Sequence, residues 1–76
     1  MRAVINTYKK DGLKFELEID MGGAPGGDYT VWICKDGKPY GRRFFEDKCS
    51  EVHFKRFAEK CIREPEYLEK WKAQSN

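Results

Sequence analysis

Seventy-six residues make one small domain, and a chain of that length buries only about 60% of the surface its unfolded form exposes. Its core must come from few large side chains, which fits an aromatic content of 14%; a deep substrate cleft would remove packing so small a fold can hardly spare, so a non-enzymatic role is expected. A formal net charge of +2 among 37% charged residues of both signs is a solubility pattern and lacks the strong cationic excess of a dedicated nucleic-acid binder.

The tripeptide Lys-Asp-Gly occurs twice, at Lys10-Asp11-Gly12 and Lys35-Asp36-Gly37. Asp-Gly is the strongest short signal for a two-residue hairpin, because a type I′ turn needs positive φ at both central positions. The first copy predicts a hairpin over about 2–20. Leu13 to Asp20 (LKFELEID) alternates apolar and charged residues, the period-2 mark of a half-buried strand. With the turn at Asp11-Gly12, Tyr8 faces Phe15, Asn6 faces Leu17 and Val4 faces Ile19. One side is then apolar apart from Asn6, and Ile5, Thr7, Lys9, Lys14, Glu16 and Glu18 take the solvated side.

Residues 21–28 (MGGAPGGD) hold four glycines and a proline. No Gly-Lys-Ser/Thr follows and the next segment is a strand, so the stretch reads as a hairpin-to-hairpin loop and not a phosphate loop. The second hairpin is expected over about 29–45. Its register sets Ile33 against Tyr40, Val31 against Arg42 and Tyr29 against Phe44. The opposite face then collects Thr30, Trp32, Cys34, Pro39, Gly41, Arg43 and Phe45. Pro39 places this strand at a sheet edge. A bulge at Gly41 would shift Arg42 and its successors by one residue.

After Glu46-Asp47 the period changes. Phe54, Phe57, Ala58, Cys61 and Ile62 follow i, i+3, i+4, i+7, i+8, the stripe of an amphipathic helix expected over about 48–63 with Asp47 or Ser50 as N-cap. Pro65 ends it near Glu64. It also suits the first position of a second helix, about 65–73, with Tyr67, Leu68 and Trp71 inward. The order is ββββαα, and the expected fold is α+β: a four-stranded antiparallel sheet of two hairpins with both helices on one face.

Three cysteines (Cys34, Cys49 and Cys61) with no CxxC spacing read as reduced thiols of a cytoplasmic protein. No apolar run approaches a membrane span and no signal-peptide core opens the chain. The initial Met and polar Gln74-Ser75-Asn76 suit a complete small reading frame. Cys49 precedes His53, the lone histidine, by one helical turn. That spacing lacks a paired metal-ligand signature, and no third group is placed to orient a nucleophile pair. No catalytic residue, metal or cofactor is assigned.

The residues that suggest a working surface are basic and aromatic. Lys35, Lys38, Arg42 and Arg43 cluster at the tip and edge of hairpin 2, with Trp32 and Phe45 expected to flank Arg43 on the face away from the helices. Exposed aromatics beside arginine have the composition of an interface hot spot. A rival arrangement folds the Trp71 segment over that second face. Lys55, Arg56, Lys60 and Arg63 read as a solvated helix face with local ion pairs.

Two functions follow. In the first, the chain binds a protein partner, or a nucleoprotein complex, through Trp32, Lys35, Lys38, Arg42, Arg43 and Phe45, or pairs through the free edge of strand 4, in the limit as a homodimer. In size and layout it resembles small accessory proteins of phages and mobile elements, including anti-CRISPR inhibitors that block a nuclease complex by occupying a surface. The second is DNA binding. Tyr29 to Lys38, then Arg42-Arg43-Phe44-Phe45 and the helix, resembles the strand–turn–strand–helix layout of arm-type integrase and AP2-like domains. That resemblance implies a sheet laid in the major groove, with Trp32, Lys35, Lys38 and Arg43 as readers.

Overall fold

The computed structural model describes residues 2–20, 28–45 and 49–72. Both Asp-Gly pairs form the turns their chemistry demands: φ is +54° and +81° at Asp11 and Gly12, and +51° and +80° at Asp36 and Gly37. The turns also touch, because the Asp36 amide donates to the Gly12 carbonyl oxygen at 2.8 Å.

These turns join β1 (Arg2–Lys10) to β2 (Leu13–Asp20) and β3 (Asp28–Lys35) to β4 (Lys38–Phe45). The strands form one antiparallel meander in the order β1-β2-β3-β4, followed by α1 (Glu51–Arg63) and the short α2 (Pro65–Glu69). The α+β architecture of four strands and then two helices is therefore present as expected. Of the glycine-rich loop only Asp28 lies among the described residues, and the expected helix limits 48 and 73 lie outside them. Asp47 also lies outside; Ser50 is the cap, its Oγ accepting from the His53 amide at 3.3 Å. Pro65 occupies the first turn of α2. Among the described residues, no helix is long and apolar enough to cross a membrane.

Alternation along β2 and β3 builds the core. Leu13, Phe15 and Leu17, with Tyr29, Val31 and Ile33, bury one sheet face against Phe54, Phe57, Ala58 and Cys61 of α1 and Leu68 of α2. Both helices therefore lie on the same side. Trp71 packs on that side too, 5.8 Å from Phe57 and 5.9 Å from Tyr67 between ring centroids. It does not fold over the other face.

Two bulges correct the expected registers. In hairpin 1 the pairs Tyr8–Phe15 and Asn6–Leu17 form as read, but Ile5 is an extra residue. Val4 then lies opposite Glu18 instead of Ile19, and Ala3 takes the place facing Ile19. In hairpin 2, Cys34 pairs with Pro39 and Ile33 with Gly41, so Tyr40 is the extra residue. Val31 consequently faces Arg43, Trp32 faces Arg42, Thr30 faces Phe44 and Tyr29 faces Phe45. Because side chains alternate with period 2, one inserted residue exchanges the faces of everything beyond it.

The expected free edge of strand 4 is also partly occupied. The Arg42 amide donates to the Trp71 carbonyl oxygen at 3.1 Å, and Gly41 bridges to Lys72. Glycine is required there by proximity: a Cβ on Gly41 would run into the Trp71 carbonyl oxygen and lie 2.9 Å from the Lys72 Cα.

Candidate functional site

The pleat assigns β2, β3 and β4 side chains to two faces, and the bulge at Tyr40 decides which of the basic and aromatic residues share one. On the face away from the core, cross-strand rows run Glu16–Trp32–Arg42 and Glu18–Thr30–Phe44. Both helices bury their apolar residues in the cluster on the other side, which leaves this face without a covering layer among the described residues. The Arg42 guanidinium lies 5.6 Å from the centroid of the Trp32 ring. Phe44, next in the strand's alternation, is 57% exposed. Trp32 is half-buried, and its Nε1 is shielded from water with no acceptor among the described residues.

The six expected partner-binding residues divide into three groups. Trp32 and Arg42 are neighbours on the uncovered face. Lys35 and Lys38 are exposed opposite each other beside the turn, and the Lys35 Nζ stands 5.8 Å from the Tyr40 ring centroid. Arg43 and Phe45 point to the helix side, which overturns their expected grouping with Trp32. The cause is the inserted Tyr40.

Arg43 is part of the packing. Its guanidinium lies 4.5 Å from the Phe45 ring centroid, 4.6 Å from Trp71 and 5.0 Å from Phe57. Nη1 donates to the Tyr67 Oη at 3.1 Å. A guanidinium is weakly hydrated and stacks well on aromatic faces, so it fastens α2 and the Trp71 turn to β4. Phe44 is the surface residue that parity reasoning missed, and the glycine after Pro39-Tyr40 was the available signal for it.

Charge on the uncovered face is mixed. Glu16, Glu18, Asp20 and Asp28 share it with Lys9, Lys14 and Arg42, and Lys14 pairs with Glu16 at 3.5 Å. At the opposite end of the sheet, Asp20 stands directly across from Asp28. The four readers implied by the DNA-binding resemblance are not on one surface, since Arg43 is turned to the helices.

The thiols are arranged for packing. Cys49 and Cys61 are buried, while Cys34 is half-buried on the uncovered face. Burial pushes the Cys61 thiol up to about 11 against the opposing pull of Arg43 and Lys60, and it raises Cys49 as well, with Arg43 opposing. Both stay protonated at neutral pH, which is the unreactive form. His53 is exposed. Among the described residues no three His, Cys, Asp or Glu side chains gather as metal ligands.

Comparison with protein-family models, with curated proteins and with solved structures finds no match for this chain.

Proposed function

We propose that this chain is a non-catalytic binding module that lays the uncovered face of its sheet against a protein partner. The observation that carries this reading is the Trp32–Arg42–Phe44 group: an indole capped by a guanidinium, beside an exposed phenyl ring, on a face with no covering layer among the described residues. Tryptophan, arginine and large aromatics concentrate binding free energy at protein interfaces, the aromatics because they bury much area with few rotors to freeze and arginine because its planar guanidinium stacks and donates several hydrogen bonds at once. Blocking a partner by occupying its surface needs no more than such a face. A phage or mobile-element accessory protein that inhibits a nuclease complex in this way is the setting that suits its size, and the free thiols suit the cytoplasm.

A protein is favoured over DNA for two physical reasons. Acids and bases are mixed on this face, which lacks the cationic excess a phosphate backbone needs, and Arg43 is committed to the aromatic cluster. The test is capture from the native host on immobilised wild-type protein and on Trp32→Ala. The variant is expected to keep its cooperative melt and to lose the captured partner. Unfolding of the variant would make Trp32 a core residue, and full capture by a folded variant would remove this face from the interaction.

A further inference from the structure

We infer that the groove beside the bulged stretch of β4 receives an acidic, extended peptide segment of the partner, an inference that rests on the reading of the Trp32 face as the binding surface. The groove has a volume of about 780 Å³ and runs between Trp32, Pro39 and Arg42 on one wall and Lys70, Trp71 and Lys72 on the other. Two features of the fold create it. The extra residue at Tyr40 interrupts β4 pairing, and the turn after α2 lays Trp71 and Lys72 on the strand's edge at Gly41.

Charge selects the occupant. Among the described residues, Arg42, Lys70 and Lys72 line the groove against a single carboxylate, Glu16. None of the three cations has an ion-pair partner among the described residues, and all three are exposed. Two are held by rings instead of carboxylates: Arg42 over Trp32, and the Lys70 Nζ 5.7 Å from the Trp71 centroid. Cations lying on aromatic faces keep their N–H groups ready for an anion.

Hydrogen bonding points the same way. The groove is lined by both tryptophans of the chain, and both Nε1 atoms are shielded from water without an acceptor among the described residues. An indole N–H only donates, so each is a donor whose acceptor is missing among the described residues. An extended peptide supplies carbonyl oxygens along its length and carboxylates at alternate positions, while the apolar walls accept its intervening side chains. A nucleic-acid strand fits less well. Its continuous phosphates would run from three cations onto the Glu16, Glu18 and Asp28 region of the adjoining face, whereas a peptide's charge ends where its acidic residues end.

The experiment titrates the full chain with a blocked hexapeptide alternating glutamate and phenylalanine, read by the fluorescence of its two tryptophans. The same peptide with lysine for glutamate, and a short DNA duplex, serve as comparators, and sedimentation monitors self-association. Saturable binding of the glutamate peptide is expected, weakening with salt and falling roughly tenfold in Lys70→Glu/Lys72→Glu, since two rim charges are reversed at once. The variant's melt should match wild type. No response to the glutamate peptide, equal binding of the lysine peptide, tighter binding of the duplex, a signal explained by self-association, or unchanged affinity in the double variant would each overturn the inference. If the peptide fails while host-partner capture still depends on Trp32, the groove assignment falls and the face assignment stands. If folded Trp32→Ala still captures the partner, the face assignment falls first.

Discussion

Phe57→Ala is expected to cost about 3–5 kcal/mol, the range for emptying a buried aromatic site. A chain of this length commands a total stability of roughly 4–11 kcal/mol, so the loss removes at least about a quarter of it and unfolds the variant at 25 °C where the total lies at the low end. Phe57 is the hub of the helix side. Its ring meets Phe15 and Phe45 edge-on at 6.1 Å, Tyr67 at 6.0 Å and Trp71 at 5.8 Å, and Arg43 stacks on it at 5.0 Å. No single neighbour can fill the space it would leave, because those rings belong to the sheet, α2 and the C-terminal turn. Urea unfolding followed by far-UV circular dichroism measures the loss. A cost below about 1 kcal/mol, the level of ordinary substitutions, would mean that the helices are not organised around this ring.

Gly41→Ala is expected to produce the second large effect, about 1–3 kcal/mol as for other insertions into a filled site. The added methyl would occupy the position of the Trp71 carbonyl oxygen and press on the Lys72 Cα. Backbone stands on both sides of this contact, so no flexible side chain can yield. The turn after α2 must leave the strand, which breaks the Arg42 amide bond to Trp71 and loosens Trp71 from Phe57 and Arg43. Faster hydrogen exchange at the Arg42 amide and a red-shifted tryptophan emission are the expected readouts. Unchanged exchange at Arg42 would show that the C-terminal turn does not close this edge.

The main lines of the fold were legible because local chemistry and tertiary structure agree there. Asp-Gly can hardly serve any other turn in an alternating context, the Phe54–Ile62 stripe has only a helical reading, and Pro65 stops α1 wherever the helix packs. The bulges were less legible. Ile5 carries no local mark of an inserted residue, since it is a good strand former, and beside Tyr40 the only mark is Gly41, which permits a bulge without requiring one. Trp71 and Lys72, about thirty residues further along the chain, dock on Gly41 beside it. The extra residue reverses the parity of β4 and moves Arg43 and Phe45 from the expected surface into the aromatic packing. The same reversal brought Arg42 and Phe44 beside Trp32 and made the second hairpin's outer face a coherent surface.

On the proposed reading, this outer face, and not the helix side or the β1 edge, meets the partner. Amide chemical-shift mapping of isotope-labelled protein with its captured partner tests it most directly. The largest changes are expected on Thr30, Trp32, Arg42 and Phe44 and on the Trp32 indole N–H. Changes concentrated instead on Lys55, Arg56 and Arg63 along the outer side of α1, or along β1, would contradict it.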